Sequence, residues 1–176
     1  MDKNTQWITR TAVFTALLIV SQFVTSQLGN QFITGSVNNL ILIISTMICG
    51  FASGATVACI SPAFARLLGI GTPFWLLVPF IAIGNLVLIT LWYLIGKHVK
   101  NKKISYLLAL IIAALSKFAA LYIGIVMFAA PVLLNLPPNS PIMIAFSFPQ
   151  LITAAIGGAI AVCILPLLKK AIKNLN

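Results

Sequence analysis

A lone lysine, Lys117, stands in a long apolar stretch and carries more chemical meaning than any other residue of the sequence. It follows the cluster Lys97, Lys100, Lys102 and Lys103 by 14 positions. At ~1.5 Å per residue that spacing places it ~21 Å along a helix, past the middle of a bilayer whose apolar core is ~30 Å thick. An ammonium at that depth costs several kcal/mol unless it faces a cavity or a partner. The one acidic residue, Asp2, lies outside every apolar stretch, so the partner is not a protein carboxylate. A bound anion would complete the pair. The alternatives are a side chain that snorkels to the interface or one that pairs with carbonyl oxygens.

Arg66 lies near the outer end of another apolar stretch, outer meaning remote from the lysine clusters. Either it reaches the interface at little cost, or it joins Lys117 at one outer cavity. In the second case the ligand is an anion, since a guanidinium grips a carboxylate through two hydrogen bonds and the ammonium adds a point charge. Uncharged polar residues gather in the same outer half. Asn38 and Asn39 open one apolar segment, Asn85 lies in the middle of another, Tyr122 stands one turn beyond Lys117, and Gln150 lies two turns into the last. Each amide can instead bridge helices, a role worth about 1 kcal/mol in lipid. Their convergence, more than any one of them, suggests a binding site. Phe74 and Trp75 read as interface anchors rather than ligand-stacking rings.

Enzymatic chemistry is poorly supplied. Asp2 and His98 are the only acidic residue and the only histidine, and no acid–base pair lies within an apolar stretch. No G-x-x-x-x-G-K-[ST] loop is present, so energy for any transport comes from a partner or an ion gradient. Cys49, Cys59 and Cys163 are isolated and form no CxxC pair, which makes them small packing residues rather than disulfide partners or metal ligands.

The elements that must position these residues follow from composition. Of 176 residues, 61% are hydrophobic and 7% charged, with a mean hydropathy of +1.12, so the solvent is lipid. Most of the 11 lysines and arginines fall in three short polar segments: Lys3 with Arg10, the Lys97–Lys103 cluster, and Lys169 with Lys170 and Lys173. Such segments stay cytoplasmic, so the chain crosses an even number of times between them. At ~20 residues per span there is room for four crossings and then two.

The predicted fold is therefore all-α, a single transmembrane domain over residues 1–176 with both termini cytoplasmic. Its six helices are expected over about 11–28, 37–51, 53–68, 74–96, 104–130 and 142–168. Gly29 to Ser36 is expected as a bendable outer loop, Gly50 to Gly54 as a tight inner turn, and the region of Pro131, Pro137, Pro138 and Pro141 as a stiff, non-helical outer loop. Arg10 before an apolar run also has the order of a signal peptide. No small-residue cleavage site follows, and the segment is expected to stay as the first helix.

Ala12 and Ala16, and again Gly50 and Gly54, show a small-x-x-x-small spacing that lets helices approach closely. To this the sequence adds six short helices, the stretch Thr34-Gly35-Ser36-Val37-Asn38-Asn39, the segment from Ser61-Pro62 to Leu67-Leu68-Gly69, and no ATP site. In these features the chain resembles the substrate-binding S components of energy-coupling-factor (ECF) transporters, the vitamin-uptake branch of ATP-binding-cassette systems. The resemblance implies a bacterial plasma-membrane protein whose Ala12 and Ala16 face a transmembrane coupling protein. That partner works with two cytoplasmic ATPases, so ATP is used by the partners and this chain holds no cofactor.

The resemblance also implies a ligand pocket in the outer half, formed by the last three helices and covered by the first and third outer loops. Lys117, Tyr122, Gln150, Asn85, Asn38, Asn39 and Arg66 are the candidate ligand contacts. A pocket with no acidic side chain disfavours cationic thiamine, and Lys117 favours a carboxylate-bearing vitamin such as pantothenate or nicotinate. Two rival readings remain at this point: a self-contained carrier or channel, and a structural membrane protein with no small-molecule ligand.

Overall fold

Lipid offers the backbone no hydrogen bonds, so segments this apolar must satisfy their own N–H and C=O groups by winding into helices. The computed structural model describes residues 2–98 and 102–173, and no strand occurs among them; Lys100 of the mid-chain basic cluster lies outside these residues. The helices are α1 (Lys3–Ser26), α2 (Gln31–Cys49), α3 (Phe51–Leu67), α4 (Val78–His98), α5 (Lys102–Leu121), the short α6 (Pro141–Ala145) and α7 (Phe148–Lys173). A 3₁₀ turn, Trp75–Leu77, leads into α4, and α5 runs on into a π-wound stretch, Tyr122–Leu133. Five helical stretches are long and apolar enough to cross a membrane. The sixth, α3, has 17 residues, about 25 Å at 1.5 Å per residue.

Helix α2 is central and packs against α1, α3, α4 and α7, while α5 closes the bundle against α4 and α7. Of three buried apolar clusters, one, of Leu77, Leu121, Ile125 and Ala129, lies at the start of α4 and the π-wound stretch, and the other two hold the middle of the bundle. Trp92 and Leu88 of α4, Ile43 of α2, Ala109 and Ala113 of α5, and Ala154, Ala161 and Leu165 of α7 pack as one; Leu18, Leu42, Val57 and Ile89 pack as the other. Leu107, Ile111 and Leu115 point outward from α5 at four-residue spacing, the lipid-facing counterpart of that core.

Several boundaries differ from the sequence expectation: α1 begins at Lys3 rather than about 11, Pro131 lies inside the π-wound stretch rather than in a non-helical loop, and three further differences each have a local reason. The polar stretch expected as a bendable first loop is helical from Gln31 onward. The Asn30 side chain caps α2 by accepting from the Phe32 N–H at 2.9 Å, and Gly35 lies against Thr153 of α7. The loop is thereby reduced to Gln27–Asn30. The inner turn between α2 and α3 is Gly50 alone, at φ 96°, and Gly54 is already inside α3 against Thr46. The last span is broken into α6 and α7 at Phe146 and Ser147. Pro149 has no N–H to donate, so no backbone hydrogen bond from it to the Ala145 carbonyl can carry the helix across the break. The Ala145 carbonyl accepts instead from the Gln150 side-chain Nε2 at 3.1 Å.

The α2–α7 contact is closest at Gly157, where an added Cβ would lie 2.5 Å from the Ser36 carbonyl oxygen and 3.0 Å from the Leu40 nitrogen. Backbone cannot rotate aside as a side-chain tip can. Gly157→Ala is therefore expected to cost about 1–3 kcal/mol and to lower the thermal midpoint in detergent. Gly158→Ala, whose tightest contact is the flexible end of Leu110, with the Trp92 ring at 3.4 Å, should lower it less.

Candidate functional site

The inner half of the bundle is filled, and the outer half opens around a cavity of about 610 Å³. That size lies within the range of small-molecule sites. Every spanning helix contributes to it: Leu18 and Gln22 from α1; Gln31, Thr34, Asn38, Asn39 and Leu42 from α2; Ser61, Pro62 and Ala65 from α3; Ile81 and Asn85 from α4; Lys117 from α5; Gln150 from α7. The second outer loop adds Ile70 to Pro73, and α6 lays Pro141, Ile142 and Ala145 along one wall. This corrects the expectation of a pocket built by the last three helices under the first and third loops. The third loop does contribute, through α6, but Gln27–Asn30 supplies no lining residue and α1 to α3 supply eleven, Gly35 of α2 included. The first loop is too short to reach over the opening.

Lys117 is 4% exposed and does not snorkel. Its ammonium donates to Asn39 Oδ1 at 2.6 Å and to Asn85 Oδ1 at 2.7 Å, so it ties α5 to both α2 and α4. Those contacts orient both amides with oxygen toward the charge. Asn39 then presents its Nδ2 to Thr153 Oγ1 at 3.4 Å, and Thr153 donates to the Gln150 carbonyl at 3.1 Å. An ammonium has three N–H donors, and two are committed. Amide oxygens solvate the charge without cancelling it, and Asp2, the one acidic residue of the sequence, precedes α1, so no carboxylate lies within any helix that borders the cavity. The cavity floor therefore stays electropositive.

The remaining sequence candidates divide. Asn38 and Gln150 line the cavity beside Asn39, Asn85 and Lys117. Tyr122 and Arg66 do not. Five residues beyond Lys117 at ~100° each carry Tyr122 about 140° round the helix, onto another face. There it stacks on Phe118 with ring centroids 5.6 Å apart and is 38% exposed. Arg66 sits one position past the cavity-lining Ala65, and its guanidinium lies over the Trp75 ring, 5.6 Å from the centroid. One residue is enough to turn it away. Ala12 and Ala16 are both exposed on α1.

Gln22, Gln31, Thr34 and Thr72 line the cavity and were not among the sequence candidates. Gln22 was the one with a readable signal, a lone amide well inside an apolar run.

A family model described as the substrate-specific component of ECF transporters matches residues 6–169. No curated protein and no solved structure matches the chain.

The Lys117 cluster makes a separable stability prediction. Asn85→Leu leaves the ammonium buried with one oxygen fewer and should cost about 1.5–3 kcal/mol. Adding Lys117→Leu to Asn85→Leu should recover much of that loss, because the charge that needed the oxygen is gone. Thermal midpoints of the two single variants and the double variant measure this coupling.

Proposed function

The chain belongs to the substrate-specific components of ECF transporters, and from that we propose that it captures a small carboxylate-bearing vitamin or related acid at the outer face of a bacterial plasma membrane. The observation that carries this reading is the Lys117 ammonium, buried at the floor of an outer cavity and held by two amide oxygens, with one donor uncommitted. A carboxylate entering from outside meets that donor and neutralises the charge. The attraction is stronger there than in water because the surroundings are weakly polarisable. Asn39 and Asn85 hold the ammonium in place before the ligand arrives, so little ordering remains to be done on binding.

Uptake then depends on partners. The chain has no ATP-binding loop, and its helices carry no carboxylate within the membrane to couple a proton or sodium gradient. This favours the S-component reading over a self-contained carrier. A transmembrane coupling protein with two cytoplasmic ATPases supplies the energy, and α1 offers it a face on which the small, exposed Ala12 and Ala16 lie one turn apart. Close approach of a partner helix needs small side chains there.

Two measurements check these assignments. Isothermal titration of the detergent-purified chain with pantothenate and nicotinate should show tight binding of at least one, weakened roughly 30-fold or more by Lys117→Met, the loss expected when one partner of a buried charge pair is removed. Unchanged affinity would make Lys117 a structural lysine. Separately, Ala12→Leu with Ala16→Leu should leave that affinity intact while abolishing uptake of the same vitamin by whole cells, because the added side chains keep the partner helix away.

A further inference from the structure

The polar groups of the cavity are not equivalent. The oxygens of Asn39 and Asn85 are committed to Lys117, and the Gln150 amide nitrogen is committed to Ala145. Of the residues that line the cavity, two carry a buried acceptor without a partner. Gln22 Oε1 and Asn38 Oδ1 are shut off from solvent and have no hydrogen-bond partner. A desolvated acceptor without a donor is costly, and because both residues line the cavity, a turn of either amide brings its oxygen to the wall, where a ligand group can supply the missing hydrogen. The two residues stand at comparable depth. Helix α1 rises to Ser26 and α2 descends from Gln31, so Gln22 lies ~6 Å and Asn38 ~10 Å below the same outer turn at 1.5 Å per residue.

The walls narrow the choice further. Phe146 is the one aromatic ring among the described residues that line the cavity. Phe74, Trp75 and Tyr122 all fall outside the lining, and the surfaces between the amides are aliphatic, from Leu18, Leu42, Ile70, Ile81 and Ile142. A flat aromatic acid would find at most one ring to stack on.

We propose that Gln22 and Asn38 form a second recognition subsite which accepts hydrogen bonds from the neutral part of the ligand. The solute class is then an aliphatic acid bearing hydroxyl or amide N–H donors, not an aromatic acid. The proposal rests on the assignment of the carboxylate to Lys117 and adds what that assignment leaves open, the chemistry of the other end. It also gives α1 a direct ligand contact.

The test uses three probes on the purified chain by titration calorimetry: pantothenate, which has a carboxylate, hydroxyls and an amide N–H on an aliphatic frame; panthenol, which has an alcohol in place of the carboxylate; and nicotinate, an aromatic carboxylate. Pantothenate should bind at least about tenfold more tightly than either of the others. Gln22→Leu and Asn38→Leu should each weaken pantothenate by about tenfold and leave nicotinate unchanged, the effect of one lost hydrogen bond. Gln22→Met and Asn38→Ala replace the leucine variants should those fail to fold. Nicotinate binding more tightly than pantothenate, or pantothenate binding untouched by both substitutions, overturns the subsite and leaves the carboxylate assignment standing. Panthenol binding as tightly as pantothenate removes the role of Lys117 and leaves the subsite standing. Binding of none of the three overturns both.

Discussion

One positive charge in a protein interior surrounded by lipid organises the outer half of this molecule. A lysine that deep cannot be left bare, and the chain has no carboxylate to offer it. The answer is two amide oxygens from two other helices, at 2.6 and 2.7 Å, which fixes where α2, α4 and α5 stand relative to one another on the outer side. Hydrophobic contact alone discriminates weakly between helix faces in lipid, because lipid tails are as apolar as leucine; directional hydrogen bonds supply the selectivity. The arrangement solvates the ammonium without a carboxylate, so the same contacts that stabilise the bundle leave the proposed anion its counter-charge.

The bundle is divided by depth. Toward the lysine-rich end, Trp92 and its neighbours fill the space between α2, α4, α5 and α7. Toward the other end the same helices diverge around the cavity, and the irregular backbone is found there: the π-wound extension of α5, left-handed Asn135 and Asn139, and the break between α6 and α7. Non-helical backbone at membrane depth is tolerated where it lines a cavity or is buried in protein. The α6–α7 break illustrates how, since the carbonyl released by Pro149 is taken up by the Gln150 amide. Gln150 thus has a structural bond as well as a place in the wall.

Helix α1 joins the two proposed interfaces. Its inner side carries Leu18 and Gln22 into the cavity, and its outer side exposes Ala12 and Ala16. It is also the least buried of the helices long enough to span. A helix held mainly along one side, with ligand contacts above and a small-residue face below, is suited to report occupancy of the cavity to a partner in the membrane.

Much of this was legible in the sequence, and the dividing line is physical. Composition and the placement of Lys and Arg determined a six-helix membrane protein, because burying unpaired backbone or unpaired charge in lipid costs too much for other solutions to compete. The isolated position of Lys117 marked, for the same reason, a buried polar cluster beside the outer cavity. Which residues share that site was decided only by the tertiary structure. Tyr122 and Arg66 have the right height and the wrong azimuth, since one position on a helix turns a side chain by ~100° and neither height nor composition records that angle. Gln22 enters the cavity and Gln31 starts α2 because of how α1 and α2 pack and how Asn30 caps, contacts between segments that no single segment encodes.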